Sequence, residues 1–445
     1  MFTNMKKSGF YIFLSSLLVL FSACSDIDNT DGNVVESGEE QFVSAEVIDD
    51  INDSVMLMYV RGGIDANATN AFGYKAVKIT YKTKDQNDAD VNASGLLVIP
   101  TVSDAYSAYL ASLGKSFSVS MICENHGSIF TEAEAPTNVE LSDGAPNYDI
   151  ATLMTGFAGF AAIIPDYIGY GVSDAQNHPY MLKKASARAS LDMIKASMKY
   201  MSDTGVILNY QLYISGYSQG GYTAMALAEE VESSFSTVDL KAIAPMSGPY
   251  DLVGLGNIEI NASRVMVYPA FLAYLADAYA QAYDDLNLST LVVENNTTLF
   301  HSLFDGSKSG IEIQVALGLT DNYGFGTYTA DALFKPSFIT DYQNNLNNTF
   351  KEKLRENITY DWTPKTRMNL IHCIEDEIIP FSMSQTAYDK FIENGVSSEN
   401  LTLTPLPTSI ISAPTPSDPF VHSRCGATAY GAAVKWFDDI RAGRI

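Results

Sequence analysis

Positive charge is scarce in this chain of 445 residues: 27 Lys and Arg stand against 52 Asp and Glu, a formal net charge of −25. Nucleic-acid binding needs a basic face to displace phosphate counterions, so that class of partner is excluded. The same shortage argues against electrostatic docking onto anionic lipid, which needs clustered Lys and Arg. Beyond the N-terminus there is no run of about twenty apolar residues, so the body of the chain has no membrane-spanning helix. Histidines number five and cysteines four, dispersed without the spacing of a zinc site or a dense disulfide framework. No metal or cofactor is called for. What the chain does have is apolar substance. With 47 % hydrophobic and 18 % charged residues, it has the composition of a globular protein, long enough for one large domain with an insertion.

The N-terminus reads as an address. Lys6 and Lys7 precede an apolar run over residues 10–21, which ends in Ser22 and Ala23 before Cys24. That order is the signature of a secretory signal, and the run is too short for a comfortable span. Phe21-Ser22-Ala23-Cys24 resembles a bacterial lipobox, which implies cleavage before Cys24 and lipidation of its thiol. Ser25, Asp26 and Asp28 then resemble the surface-export signals of Bacteroidota-type lipoproteins. Residues 25–50 hold nine acids and no Lys or Arg, a composition that cannot bury enough apolar surface to order itself. They are expected to be a flexible tether on an outer-membrane, surface-facing lipoprotein whose only membrane contact is the lipid anchor. With Cys24 set aside, Cys123, Cys373 and Cys425 cannot all pair in one chain. Buried free thiols are the expected state, with one disulfide as the alternative in an oxidising compartment.

From about residue 55 the chain alternates in the strand manner. Ala76, Lys78, Thr80 and Lys82 interleave with Val77, Ile79 and Tyr81, the period of two of a half-buried antiparallel strand. Short apolar runs follow at 95–100, 117–123, 160–165, 211–215, 240–245, 368–374 and 401–406. Helical patterns at 185–201, 220–232, 382–394 and 426–442 lie between or after them. Strands alternating with helices imply an α/β fold with a mostly parallel sheet covered on both faces and an antiparallel leading edge. The stretch 252–365 breaks this rhythm, and residues 264–350 contain fourteen Tyr or Phe. A structureless loop of that length is improbable. A mainly helical insertion is expected, capping a pocket lined for apolar groups and dividing the core into 51–251 and 366–445.

The strongest local signal is Gly216-Tyr217-Ser218-Gln219-Gly220-Gly221, set between an apolar run and a helical pattern. In that context Gly-x-Ser-x-Gly is a nucleophile elbow, a strand-to-helix turn that exposes the serine oxygen. The glycines let strand and helix approach without colliding side chains. The helix N-terminus behind Ser218 favours a developing anion. A serine needs a base, and on this fold the chain order is nucleophile, acid, histidine. Beyond the run at 368–374 come three adjacent acids, Glu375, Asp376 and Glu377, and only His422 follows them. His372 lies inside that run and reads as a packed core residue. His301, in the insertion, reads as structural or substrate-facing. Asp376 is preferred because Asp-Glu-Ile-Ile-Pro resembles the Asp-x-x-Val-Pro of many α/β-hydrolases. For the oxyanion, one backbone donor is expected from Gln219. The other is expected from Gly127 or Ser128, since His126-Gly127 after the run 117–123 resembles the oxyanion loop of esterases and lipases.

Taken together the chain resembles the secretory lipase family of α/β-hydrolases. The resemblance runs from Tyr81-Lys82-Thr83-Lys84-Asp85 and Ala93-Ser94-Gly95-Leu96-Leu97-Val98-Ile99-Pro100 through Asp166-Tyr167-Ile168-Gly169-Tyr170-Gly171 and Ser190-Leu191-Asp192 to the elbow and His422. It implies an α/β-hydrolase fold with a helical cap after the sixth strand. It also implies hydrolysis of carboxylic esters, often acylglycerols, by a triad of Ser218, Asp376 and His422. Two alternatives remain at this level: a carbohydrate esterase removing acetyl or feruloyl groups, and a non-catalytic glycan- or lipid-binding lipoprotein.

Overall fold

The structure is a computed structural model that describes residues 38, 40–138, 149–294, 297–319, 328–415 and 419–445. Cys24, the signal segment and most of the tether lie outside the described residues. The tether expectation is corrected at its C-terminal end, because residues 42–51 are a strand. In this stretch Val43, Ala45 and Val47 alternate with polar residues, and the neighbouring strand supplies hydrogen bonds that composition cannot foresee.

Nine strands form one sheet: β1 (Phe42–Ile51), β2 (Gly73–Lys84), β3 (Asp90–Thr101), β4 (Val119–Asn125), β5 (Ala161–Pro165), β6 (Leu208–Tyr217), β7 (Asp239–Met246), β8 (Arg367–Cys373) and β9 (Leu401–Leu406). Their spatial order is β1-β2-β3-β5-β4-β6-β7-β8-β9. The joints from β1 through β3 to β5 are antiparallel, and every joint from β5 to β9 is parallel. The mostly parallel sheet with an antiparallel leading edge is the arrangement the sequence implies.

The period of two explains the sheet's two cores. Leu97, Ile163 and Ile214 point to one face, where α1 (Lys183–Asp203) and α2 (Gln219–Ser234) pack. Their neighbours Leu96, Ile164 and Tyr213 point to the other, where Ala429, Ala433 and Phe437 of the C-terminal helix close the layer. Strands β4 and β5 are buried at every residue, as a strand covered on both faces must be.

The insertion is mainly helical, beginning with α3 (Leu252–Glu259) and α4 (Pro269–Ala282). Its aromatic excess builds a core of its own: Tyr274, Tyr279, Phe300, Phe334, Phe338, Tyr342 and Phe350 are buried together with Met181 and Tyr222 of the sheet domain. Tyr222 and Tyr279 both donate their hydroxyls to the carbonyl of Met181, at 2.9 and 3.0 Å. The Tyr279 bond ties insertion to core. After it come α5 (Ser382–Glu393) and α6 (Val421–Arg441).

Candidate active site

The C-terminal ends of parallel strands are where open α/β sheets place ligands, and β6 ends at Tyr217 directly before Ser218. Ser218 has φ 59° and ψ −121°, a region that costs a non-glycine residue about 1–3 kcal/mol. The surroundings leave no other path. A Cβ on Gly220 would lie 1.7 Å from the Asn125 carbonyl oxygen, and one on Gly221 would lie 2.4 Å from that of Met246. The doubled glycine therefore lets α2 start between the ends of β4 and β7. The Ser218 amide donates to the Met246 carbonyl at 2.9 Å, which fixes the turn.

The Ser218 hydroxyl donates to His422 Nε2 at 2.9 Å, and His422 Nδ1–H donates to Asp376 Oδ2 at 2.6 Å. Asp376 Oδ1 accepts from the amides of Ile378 and Ile379 at 3.1 and 2.8 Å. Burial alone would raise this carboxyl. The attraction of His422 and hydrogen bonds from His372 and His422 outweigh it and hold Asp376 well below its ordinary value. The three adjacent acids part company here. Glu375 accepts from the Thr408 amide at 3.2 Å, while Glu377 accepts from the Val421 amide at 2.8 Å.

His422 sits in the first turn of α6, which starts five residues before the helical pattern suggested. Its backbone is held as well: Tyr217 donates its hydroxyl to the His422 carbonyl at 2.7 Å. Cys425, one turn further on, is joined to Cys373 at the end of β8. The expectation of free thiols is thus corrected for these two, while Cys123 is free and buried. Fifty-two positions separate the pair in the chain, and only the packing of α6 against β8 brings them together.

Two further histidines support the site: His372, a packed core residue as the sequence implies, and His178, which sequence reasoning missed. His372 is fully buried in β8, with Ser384 Oγ at 2.7 Å from Nδ1 and the Ile379 carbonyl at 2.8 Å from Nε2. Its Nε2 also lies 3.5 Å from Asp376 Oδ2, so this core residue reaches the acid. His178 Nδ1–H donates to the Ile168 carbonyl at 2.7 Å, and its Nε2 accepts from the Gln219 side chain at 2.7 Å. Burial pushes its imidazole down to about 4. Its one signal in the sequence was membership of a set of only five histidines.

The loop after β4 abuts Ser218. A Cβ on Gly127 would lie 3.7 Å from Ser218 Cβ, and His126 Nδ1–H donates to the Gly127 carbonyl at 2.7 Å. Ser128 Oγ pairs with the Tyr180 hydroxyl at 2.8 Å. Asp166 lies behind this loop, where it accepts from Ser94 Oγ, Thr137 Oγ1 and the Thr137 amide. The Asp166-to-Gly171 motif is accordingly a buried turn. In front of Ser218 a pocket of about 630 Å³ runs under the insertion, lined by Ser128, Tyr180, Leu252, Leu255, Phe271, Leu272, Leu275 and their neighbours. Four leucines line its insertion side; of the twelve described Tyr and Phe residues within 264–350, only Tyr268 and Phe271 reach it.

A family model of secretory lipases matches residues 147–444. The chain belongs to the secretory lipase family. Membership carries hydrolysis of ester bonds with it, and the family's description is that of exported proteins. Among solved structures the chain is similar to the rice cell wall degrading esterase LipA from Xanthomonas oryzae. Identity is 22 % and TM-score 0.75, over 91 % of this chain and 99 % of that one. Candida antarctica lipase A in its closed state is similar at 13 % identity and TM-score 0.59, over 92 % and 83 % of the two chains. No curated protein matches in sequence. At these identities the structural likeness speaks for the α/β-hydrolase fold. Among the described residues no helix is long and apolar enough to cross a membrane.

Proposed function

We propose that this secretory lipase family member cleaves carboxylic esters through an acyl-enzyme on Ser218, with His422 as base and Asp376 as its orienting acid. One observation carries the reading: a single imidazole lies 2.9 Å from the Ser218 oxygen on one side and 2.6 Å from the Asp376 carboxylate on the other, at the mouth of an apolar pocket. His422 Nε2 takes the hydroxyl proton as Ser218 Oγ bonds to the ester carbonyl carbon. It returns that proton to the alcohol oxygen as the C–O bond breaks. Water then attacks the acyl-serine with the same base, releasing the acid and restoring Ser218. Asp376 fixes the tautomer and stabilises the imidazolium formed in each half.

The oxyanion is assigned to the amides of Gln219 and Ser128. A trans peptide points its C=O and the next N–H in opposite directions. With the Gly127 carbonyl turned to His126, the Ser128 amide faces away from that ring, and Ser128 lines the pocket with Ser218. This favours Ser128 over Gly127. Export, with lipidation at Cys24 and an outer-membrane, surface-facing location, belongs to the same proposal. The Cys373–Cys425 bond supports it, since disulfides persist in oxidising compartments.

Fluorophosphonate labelling and turnover of p-nitrophenyl butyrate test the chemistry. Ser218→Ala is expected to abolish labelling and lower kcat on the order of 10⁵-fold with an unchanged melting curve; retained turnover removes Ser218 as nucleophile. A carbohydrate-esterase reading is favoured by the Xanthomonas oryzae neighbour, whose description is that of a cell wall degrading esterase. Relative rates on acylglycerols and acylated oligosaccharides separate the two.

A further inference from the structure

One wall of the Ser218 pocket carries a charge where physical chemistry disfavours it. Leu252, Leu255 and Glu259 recur on α3 at the spacing of one helix face, and all three line the pocket. An apolar stripe therefore ends in a carboxylate where a third leucine would continue it. Glu259 is only 8 % exposed, and it is the last residue of α3, where the helix dipole adds partial negative charge. Burial raises its carboxyl, and Arg264 works against that rise. Arg264 Nε donates to Glu259 Oε1 at 3.1 Å, and Nη2 lies 3.1 Å from the same oxygen. Among the described residues nothing else engages the carboxylate, which leaves Oε2 as an uncommitted acceptor.

The position of that acceptor follows from the fold. The end of β7 holds the Ser218 amide through Met246, and α3 starts six residues later. Over its length from Leu252, α3 carries Glu259 about 10 Å along the helix axis. The chemistry that fits is narrow. Arg264 already supplies the positive charge, so a cationic group would meet repulsion, whereas a neutral hydroxyl donates to Oε2 freely.

We propose that Glu259 makes the pocket select acyl groups that carry a hydroxyl remote from the ester carbonyl, held by an O–H···Oε2 hydrogen bond. This rests on the ester-hydrolase reading above and adds its substrate class. Hydroxy-fatty and hydroxyaryl acyl groups share that chemistry, and matched ester pairs distinguish them: ethyl 10-hydroxydecanoate against ethyl decanoate, and methyl 4-hydroxycinnamate against methyl cinnamate. The wild type is expected to favour the hydroxylated member of at least one pair by about tenfold in kcat/KM. The pair that shows it names the source. Glu259→Leu is expected to lower kcat/KM for that hydroxylated ester and raise it for its plain partner. Glu259→Gln, which keeps an acceptor, retains most of the preference even if the leucine variant does not fold.

A wild-type ratio near one in both pairs overturns the proposal. So does a Glu259→Leu protein, folded by its melting curve, that loses both members of a pair equally. Failure to hydrolyse any ester, p-nitrophenyl acetate included, is a separate result that removes the ester-hydrolase reading itself.

Discussion

Asp376 and His178 show how single residues are tuned at this site. Asp376 accepts hydrogen bonds from His422, Ile378 and Ile379, with His372 Nε2 3.5 Å from its Oδ2, and these surroundings favour its ionised form. Replacing it by Asn keeps the shape and removes the charge that sets the His422 tautomer. For Asp376→Asn we expect kcat to fall on the order of 10³- to 10⁴-fold with little change in KM, read by steady-state kinetics on p-nitrophenyl butyrate. His178 titrates in the opposite sense to a paired histidine. Its folded pKa, about 4, lies below the ordinary 6.5, so the neutral ring stabilises the fold fully above the ordinary value. That contribution is lost as pH falls through the folded one, because the unfolded chain takes up the proton first. Stability should therefore decline by about 3 kcal/mol between neutral pH and pH 4 from this group. Urea unfolding across that range checks it, and His178→Gln should flatten the dependence.

Elements meet at two joints that sequence-local rules cannot supply. At the first, α2 starts in the gap between β4 and β7, and only glycine fits there: Gly220→Ala would drive a methyl group into the Asn125 carbonyl. At the second, the disulfide links the end of β8, three residues before Asp376, to the turn of α6 that begins with His422. Closing a loop across 52 positions restricts the unfolded chain by about 4 kcal/mol. Cys373→Ser with Cys425→Ser should lower the melting temperature accordingly in calorimetry. Because the bond ties the segment before Asp376 to the turn carrying His422, kcat should fall with it; a stable, fully active double variant would show the bond to be dispensable.

At the scale of the whole molecule the formal charge of −25 repels itself. The described ion pairs are mostly surface contacts, such as Lys199 with Asp203 and Lys435 with Asp439, each of which contributes little. Raising salt from about 10 to 150 mM shortens the screening length from about 30 to 8 Å, and the melting temperature should rise. An unchanged value would mean that the acids are balanced locally. The same field should keep the folded domain off anionic vesicles at low salt, leaving a lipidated Cys24 as the membrane contact; co-sedimentation of a protein lacking residues 1–24 tests this.

What the sequence determined by itself was whatever follows from local geometry. The period of two in residues 76–82 and the fully apolar runs act within a few positions, and Gly-x-Ser-x-Gly between strand and helix is legible as a local pattern although Gly220 and Gly221 answer to Asn125 and Met246. They sufficed for the sheet, its antiparallel edge and the elbow. Chain order on a recognised fold then narrowed the proposed base to His422. What only the tertiary structure decided depends on contacts between distant segments. It separated Asp376 from its two acidic neighbours by the direction each side chain takes off one turn. It paired Cys373 with Cys425, added residues 42–51 to the sheet and sent the insertion's aromatics into a core of their own. It also set Glu259 against an apolar pocket, since a carboxylate at the end of a leucine stripe acquires meaning only from what it faces.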